Sequence, residues 1–171
     1  THKINKIFNK LNNEYFATEA NKENLSFVLS ILKKFKLKKS LLMKKIETFK
    51  GLKYRQQIIY KKSLLTIIND SKSTSFSSSI GILKSNPNIY WLLGGAYKKG
   101  DKFDLPRKYF PKIKAFIFGK NKDYFNSQLK GKVYFENFDN LKDAFIKVLL
   151  LTKKENFIKK IILFSPSAAS F

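Results

Sequence analysis

After Gly51 the chain alternates short, almost wholly apolar runs with longer amphipathic stretches, and few folds accept that pattern. The apolar runs are Gln57–Tyr60, Leu64–Ile68, Ile89–Leu93, Ala115–Phe118, Val133–Phe135 and Ile161–Phe164, all of strand length. Ser75–Leu83, Asp123–Leu129 and Asp139–Leu151 lie between them and carry helical periodicity. A strand that is apolar along its length is buried on both faces. Such strands separated by helices specify an α/β fold, a mainly parallel Rossmann-like sheet with helices on both faces. Only Lys61-Lys62-Ser63 parts the first two runs, so these form a hairpin at one edge.

Upstream, residues from about Asn21 to Phe49 read as helical. Leu25, Val28, Leu29, Leu32 and Phe35 recur at helical spacing. Ser40 is placed to cap a second helix whose buried face is Leu42, Ile46 and Phe49, and Gly51 to stop it. The domain boundary therefore falls near Gly51, giving a mostly helical part (1–50) and an α/β part (51–171). Ser73–Ser79 is serine-rich, but it is too short and too closely flanked by structure to be a linker.

The 171 residues include no cysteine, which removes disulfides, thiolate metal sites and cysteine nucleophiles and fits a reducing cytoplasm. The single histidine, His2, reads as a solvated tail residue rather than a catalytic base. No apolar run reaches membrane-spanning length, and no signal peptide is expected. The net charge of +23 raises the question of a polyanion partner. Nearly all the basic residues are lysines, spread through every segment. The arginines, which pair best with phosphates and base edges, are Arg55 and Arg107. That distribution fits a lysine-rich composition better than a nucleic-acid reader, although the charge still steers anions inward.

In an open parallel sheet, ligands bind beyond the carboxyl ends of the strands. Ile67-Ile68 runs straight into Asn69-Asp70-Ser71-Lys72-Ser73-Thr74. Asp70 suits ribose hydroxyls or a metal, Lys72 suits a phosphate or carboxylate, and Ser73 and Thr74 sit where helix N–H groups favour an anion. The same residues fit an ordinary helix cap, and spacing alone leaves both readings open. Trp91-Leu92-Leu93 leads into Gly94-Gly95-Ala96-Tyr97-Lys98, paired glycines that let backbone approach a ligand, followed by a cation. It is neither a Walker A loop nor a dinucleotide fingerprint, and a plain turn also fits. Ile161–Phe164 ends in Ser165-Pro166-Ser167-Ala168-Ala169-Ser170-Phe171, small and hydroxylated residues able to donate to an anion. Arg55 lies beside the domain boundary and is placed to bridge a ligand held between two domains.

Taken in order, these motifs resemble those of the Mur ligases, closest to the branch that adds D-glutamate. That branch carries Phe-x-Gly-Leu-x-His-Arg, Ile-Asn-Asp-Ser-Lys-Ala-Thr, Gly-Gly-x-x-Lys and Leu-Ser-Pro-Ala-x-Ala-Ser. The chain has Phe49-Lys50-Gly51-Leu52-Lys53-Tyr54-Arg55, Ile68-Asn69-Asp70-Ser71-Lys72-Ser73-Thr74, Gly94-Gly95-Ala96-Tyr97-Lys98 and Phe164-Ser165-Pro166-Ser167-Ala168-Ala169-Ser170. Ala20, Tyr54 and Ser73 depart from the family's His, His and Ala.

The resemblance implies that 1–50 is the end of the central ATP-binding domain and 51–171 the carboxy-terminal domain. It implies nucleotide contacts from Asn21, Asn24, Arg55 and Asp70, and D-glutamate contacts from Lys72, Thr74, Lys98, Ser170 and Phe171. It further implies ATP and Mg2+ in the full-length enzyme, with UDP-N-acetylmuramoyl-L-alanine and D-glutamate as substrates. The setting is a cytoplasmic, monomeric enzyme of peptidoglycan synthesis, serving cell-wall biogenesis, shape and division, with no nucleic-acid or membrane partner. The phosphate loop and magnesium ligands of such an enzyme are not in this sequence, which starts at Thr1 without methionine. No complete catalytic set and no metal site are therefore expected, and the chain alone is expected to lack ligase activity. The alternatives are a non-catalytic amino-acid-binding module and a basic nucleic-acid-binding protein.

Overall fold

A computed structural model describes residues 12–35, 37–155 and 158–169. His2 lies outside the described residues. The chain divides into two compact units, 1–51 and 52–171.

The first unit is helical. A 3-10 turn at Glu14–Ala17 is capped by Asn13, whose side chain accepts from the Tyr15 N–H. Helix α1 (Glu19–Leu32) starts at the Thr18 cap, and α2 (Lys39–Glu47) follows a second 3-10 turn. The Asn13 amide also donates to Ile46 O at 2.8 Å and Phe49 O at 2.9 Å, tying the start of the unit to the end of α2. Phe16, Leu25, Leu29 and Ile46 form a small core with Tyr15 and Leu42 packed on it. The expected apolar face is thus only half used, because Val28 and Phe35 point outward with Phe27 and Ile31.

Two local expectations are corrected. Ser40 does not cap α2: Lys38 holds the cap position with no side-chain hydrogen bond, and Ser40 lies inside the first turn. Gly51 does not stop the helix, which ends at Glu47 with Thr48 as its cap. Gly51 instead takes a left-handed φ of +78°, where a Cβ would press into the Tyr15 ring. Phe49 follows the helix, and its ring stacks on Phe16.

The second unit is a six-stranded sheet with helices on both faces. Its strands are β1 (Gln57–Lys62), β2 (Leu65–Asn69), β3 (Ile89–Leu93), β4 (Ile113–Phe118), β5 (Tyr134–Phe138) and β6 (Lys160–Phe164), in the order β1-β2-β6-β3-β4-β5. β1 and β2 pair antiparallel as the expected hairpin, and every other pairing is parallel. Helices α3 (Phe76–Ser85), α4 (Lys122–Leu129) and α5 (Leu141–Lys154) form the crossovers. Between β3 and β4 the chain uses a long loop and a 3-10 turn, with Phe103 and Leu105 buried in place of a helix.

Side chains alternate along β3 as the strand period requires. Ile89, Trp91 and Leu93 pack with Phe76, Ile82 and Leu83 of α3 and Phe125 and Leu129 of α4. Tyr90 and Leu92 pack the other way, with Phe116, Ile162 and the α5 residues Ala144 and Val148. Each fully buried side chain of this size contributes about 1.5–3 kcal/mol. Lys160 is buried at the start of β6, where its ammonium donates to Thr152 O at 2.8 Å and to Glu155 O. It thereby satisfies carbonyls at the α5 carboxyl end, which carries partial negative charge.

Gly94 ends β3 at φ +151°, and a Cβ there would overlap the carbonyl of Phe118 on the next strand. Gly131 also has a positive φ, +72°, but nothing lies within 4 Å of its missing Cβ. Gly94→Ala is therefore expected to cost about 3 kcal/mol or more. Gly131→Ala carries only the left-handed backbone penalty of about 1 kcal/mol. Urea unfolding of both variants checks the difference, and equal midpoints would contradict the packing at β3.

Candidate functional site

Because β6 lies between β2 and β3, three strand ends open side by side at one edge of the sheet. They lead into the loops 70–74, 165–169 and 94–98, which carry the three motifs. The loops are stitched together by backbone. Asp70 N donates to Phe164 O at 2.7 Å, Ser165 N to Leu92 O at 3.2 Å and Gly94 N to Pro166 O at 3.2 Å. Farther out, Ala169 N donates to Ala96 O at 2.9 Å and Ala96 N to Ala169 O at 3.4 Å.

Asp70 is the buried carboxylate of this edge, 5% exposed. Its Oδ1 accepts from the Gln56 N–H at 3.0 Å and its Oδ2 from the Ser165 hydroxyl at 2.9 Å. Burial pushes the carboxyl above the usual carboxylate value, while those two hydrogen bonds and the Arg55 charge pull it back. Lys72 N donates to Tyr54 O at 3.1 Å, so residues 54–56 run beside 70–72. Tyr54 and Gln56 take left-handed φ values of 65° and 47°, a bend that delivers the exposed Arg55 to this loop. Lys72 and Thr74 are exposed on either side of Ser73, which is buried. Lys98 is exposed on the neighbouring loop.

The other expected residues divide as follows. Ser170 and Phe171 lie outside the described residues. Asn21 and Asn24 belong to the helical unit. Asn21 is buried and its amide donates to Tyr15 O at 2.6 Å, whereas Asn24 is exposed.

Two features of this edge are taken up by the protein's own contacts. Ser73 and Thr74 do not border a free helix amino terminus. α3 begins at Phe76 behind a capping box of Ser75 and Ser78, and the Phe76 N–H is taken by Asp101 Oδ2 at 2.6 Å. The Phe76 and Ser78 N–H groups at the helix start are therefore taken by the protein's own side chains. The paired glycines also serve the protein's own packing. Gly94 makes room for the Phe118 carbonyl, and Gly95 for Ala168 and Ala169, 3.2 Å from where its Cβ would stand.

Sequence reasoning missed the floor of the site. Ser73, Ser79, Ser165 and Ser167 are all buried, and their hydroxyls form a connected cluster ending on Asp70. The signal present was the serine-rich run itself. Its partners lie 86 and 88 residues away, a pairing that only the fold reveals. An apolar groove of about 510 Å³, lined by Ile59, Ile67, Phe145 and Phe164 among others, lies on the α5 side of the sheet. Lys142 is its single charged lining residue.

Among the described residues, no group of three or more His, Cys, Asp or Glu side chains could hold a metal ion. Asp70 and Asp101 each spend carboxylate oxygens on the protein's own donors. These residues do not fit a magnesium site. No helix among the described residues is long and apolar enough to cross a membrane.

The mainly parallel sheet, its antiparallel edge hairpin and the motif-bearing strand ends define the carboxy-terminal domain fold of the Mur ligases. A solved structure with this fold is UDP-N-acetylmuramate-alanine ligase MurC from Thermotoga maritima. Its TM-score is 0.52 at 16% identity, covering 83% of this chain and 33% of that one. More particularly, the chain is a homologue of the UDP-N-acetylmuramoylalanine–D-glutamate ligases. It is 39% identical over 158 residues to the enzyme of Francisella tularensis subsp. tularensis (strain FSC 198), covering 90% of this chain and 37% of the relative. It is 36% identical over 155 residues to that of Wolbachia sp. subsp. Brugia malayi (strain TRS), covering 89% and 30%. The chain thus spans about a third of the length of the curated relatives it matches. No family model matches it.

The Asp70 environment gives a pH prediction. Its folded carboxyl holds a proton above the reference value of 3.8. Its contribution to stability is then complete below that value and is lost as pH rises through the folded pKa. A 13C-detected titration should place the Asp70 midpoint above 3.8. A midpoint at or below that value would contradict the burial described here.

Proposed function

We propose that the chain is the carboxy-terminal portion of an ATP-dependent ligase that joins D-glutamate to UDP-N-acetylmuramoyl-L-alanine in the cytoplasm during peptidoglycan synthesis. The observation that carries the reading is the adjacency of the β2, β6 and β3 ends, which gathers three separate motifs at one edge. Residues 1–50 are taken as the end of a central ATP-binding domain and 51–171 as the domain that carries the amino-acid pocket. Working as a monomer, the full-length enzyme converts the substrate carboxylate to an acyl phosphate with the γ-phosphoryl group of ATP. The D-glutamate amine attacks that carbonyl, the amide bond forms and phosphate leaves.

This chain's part is binding and orientation. Lys72 and Lys98 are the cations for the two D-glutamate carboxylates, with Thr74, Ser170 and Phe171 completing that end. A carboxylate held by an ammonium and a hydroxyl receives charge-assisted hydrogen bonds, about twice as strong as neutral ones. Arg55 and Asp70 are the nucleotide contacts assigned to the second unit, and Asn21 and Asn24 those assigned to the first. Arg55 is exposed and free to turn toward phosphate, while Asp70, buried and doubly hydrogen-bonded, orients the loop. Alone, the chain is expected to release no phosphate from ATP.

The test is phosphate release by the chain joined to its upstream sequence, with ATP, magnesium and UDP-N-acetylmuramoyl-L-alanine. D-glutamate is compared with L-glutamate, diaminopimelate and lysine. Release should require D-glutamate. Lys98→Ala should lose at least about tenfold in kcat/KM, the scale of one charged hydrogen bond. Folded protein with no turnover on any amino acid would overturn the reading and leave a non-catalytic amino-acid-binding module.

A further inference from the structure

The buried serines do more than fill space. Ser79 lies in α3, one turn from its start, and is 0% exposed. Its Oγ lies 2.8 Å from Ser73 Oγ, 2.7 Å from Ser165 Oγ and 2.7 Å from Ser167 Oγ. A hydroxyl has one proton and two lone pairs, so three partners saturate it. The direction of each bond follows from Asp70. With the carboxylate ionised, the Ser165 proton must go to Asp70 Oδ2, at 2.9 Å. Ser165 then accepts from Ser79, and Ser79 accepts from Ser73 and Ser167. One hydroxyl therefore joins the loop bearing Lys72 and Thr74 to the loop that follows β6.

Ser167 gives this junction its importance. It holds a left-handed φ of 54°, a conformation that disfavours residues with a Cβ. Its hydroxyl proton goes to Ser79 at 2.7 Å, with Ser165 O only a distant second acceptor at 3.5 Å. Two residues on, Ala169 pairs with Ala96 beside Lys98. Ser73 and Ser167 both stand where the resembled motifs carry alanine.

We propose that Ser79 is a positioning residue: its hydroxyl holds the 165–169 loop in its left-handed bend and so sets where that loop stands against Lys72, Thr74 and Lys98. The proposal rests on the D-glutamate reading above for what those loops bind. Ser79 touches no substrate. It acts through Ser73 and Ser167.

The test has two readouts. The first, amide hydrogen exchange in this chain, needs no substrate. In Ser79→Ala the Ala169 amide should exchange at least tenfold faster, while Ile162 and Phe116 keep their protection. Adding Ser167→Gly should restore Ala169, because glycine adopts the left-handed bend without the Cβ penalty that the hydroxyl tie otherwise offsets. If Ser79→Ala loosens the whole sheet, Ser167→Ala reads the same bond from the loop side, and unchanged Ala169 exchange there overturns the proposal. The second readout is kinetic, in the chain joined to its upstream sequence. Ser79→Ala should raise the KM for D-glutamate at least tenfold with kcat within threefold, and the Ser167→Gly addition should reverse the rise. An unchanged KM alongside faster Ala169 exchange overturns the positioning role. A wild-type enzyme that ignores D-glutamate fails the function reading instead, and the exchange data tell that failure apart.

Discussion

Strand β6 is hydrogen-bonded on one side to β2 and on the other to β3, although it comes last of the six in the chain. Ile161 and Leu163 face one layer of the core and Ile162 the other, all of them buried. Closing so long a loop costs entropy, but that cost grows only slowly with length. Three buried aliphatic side chains at about 1.5–3 kcal/mol each offset it. Trp91 adds a buried donor, its Nε1 giving a 2.8 Å bond to Ser165 O just past the strand. The candidate site follows from this insertion. Without β6 in the middle, the Asp70 loop and the Gly94-Gly95 turn would be separated, and Asp70 would lack its hydroxyl partner.

Charge is arranged around that edge with economy. The chain carries 35 basic and 12 acidic residues. Exposed ion pairs such as Lys122–Asp139 and Lys22–Glu19 are solvated and contribute little. Asp70 and Asp101 are used differently. Each satisfies a backbone N–H beside the site, Gln56 before β1 in one case and Phe76 at the start of α3 in the other. Arg55, Lys72 and Lys98 remain exposed around them. An anionic ligand would therefore meet cations on the outer side of the loops, while the inner side is held by neutral hydroxyls and one buried carboxylate.

Much of this was legible in the residues, and the exceptions have physical causes. Ile89–Leu93 is apolar at every position, and the strand has those same bounds. The short Lys61-Lys62-Ser63 link signalled the hairpin, although Lys61 and Lys62 extend β1 and the turn is Ser63-Leu64, with Ser63 left-handed at φ 49°. Local capping was read less well. Ser40 has the right chemistry for a cap, but the chain turns into α2 two residues earlier. Ser73 and Thr74 looked like a helix start, yet Ser75 caps α3 and frees Ser73 to turn inward. The glycine pair signalled close approach correctly but not what approaches, which is the Phe118 carbonyl, the Ala168 methyl and the Ala169 carbonyl. The serine cluster was hidden for a deeper reason. Its members come from α3 and the loops after β2 and β6, and no local pattern encodes that meeting.

If the loops beyond the carboxyl ends of β2, β6 and β3 form one ligand site, D-glutamate must perturb all three at once. Amide chemical shifts of this chain, followed during titration with D-glutamate, test it most directly. Lys72, Thr74, Ala96, Lys98 and Ala169 should shift together along a single saturable curve. Asn88 and Lys160, at the opposite end of the strands, should stay still. Shifts scattered over lysines on every surface without saturation, or confined to that opposite end, would contradict it.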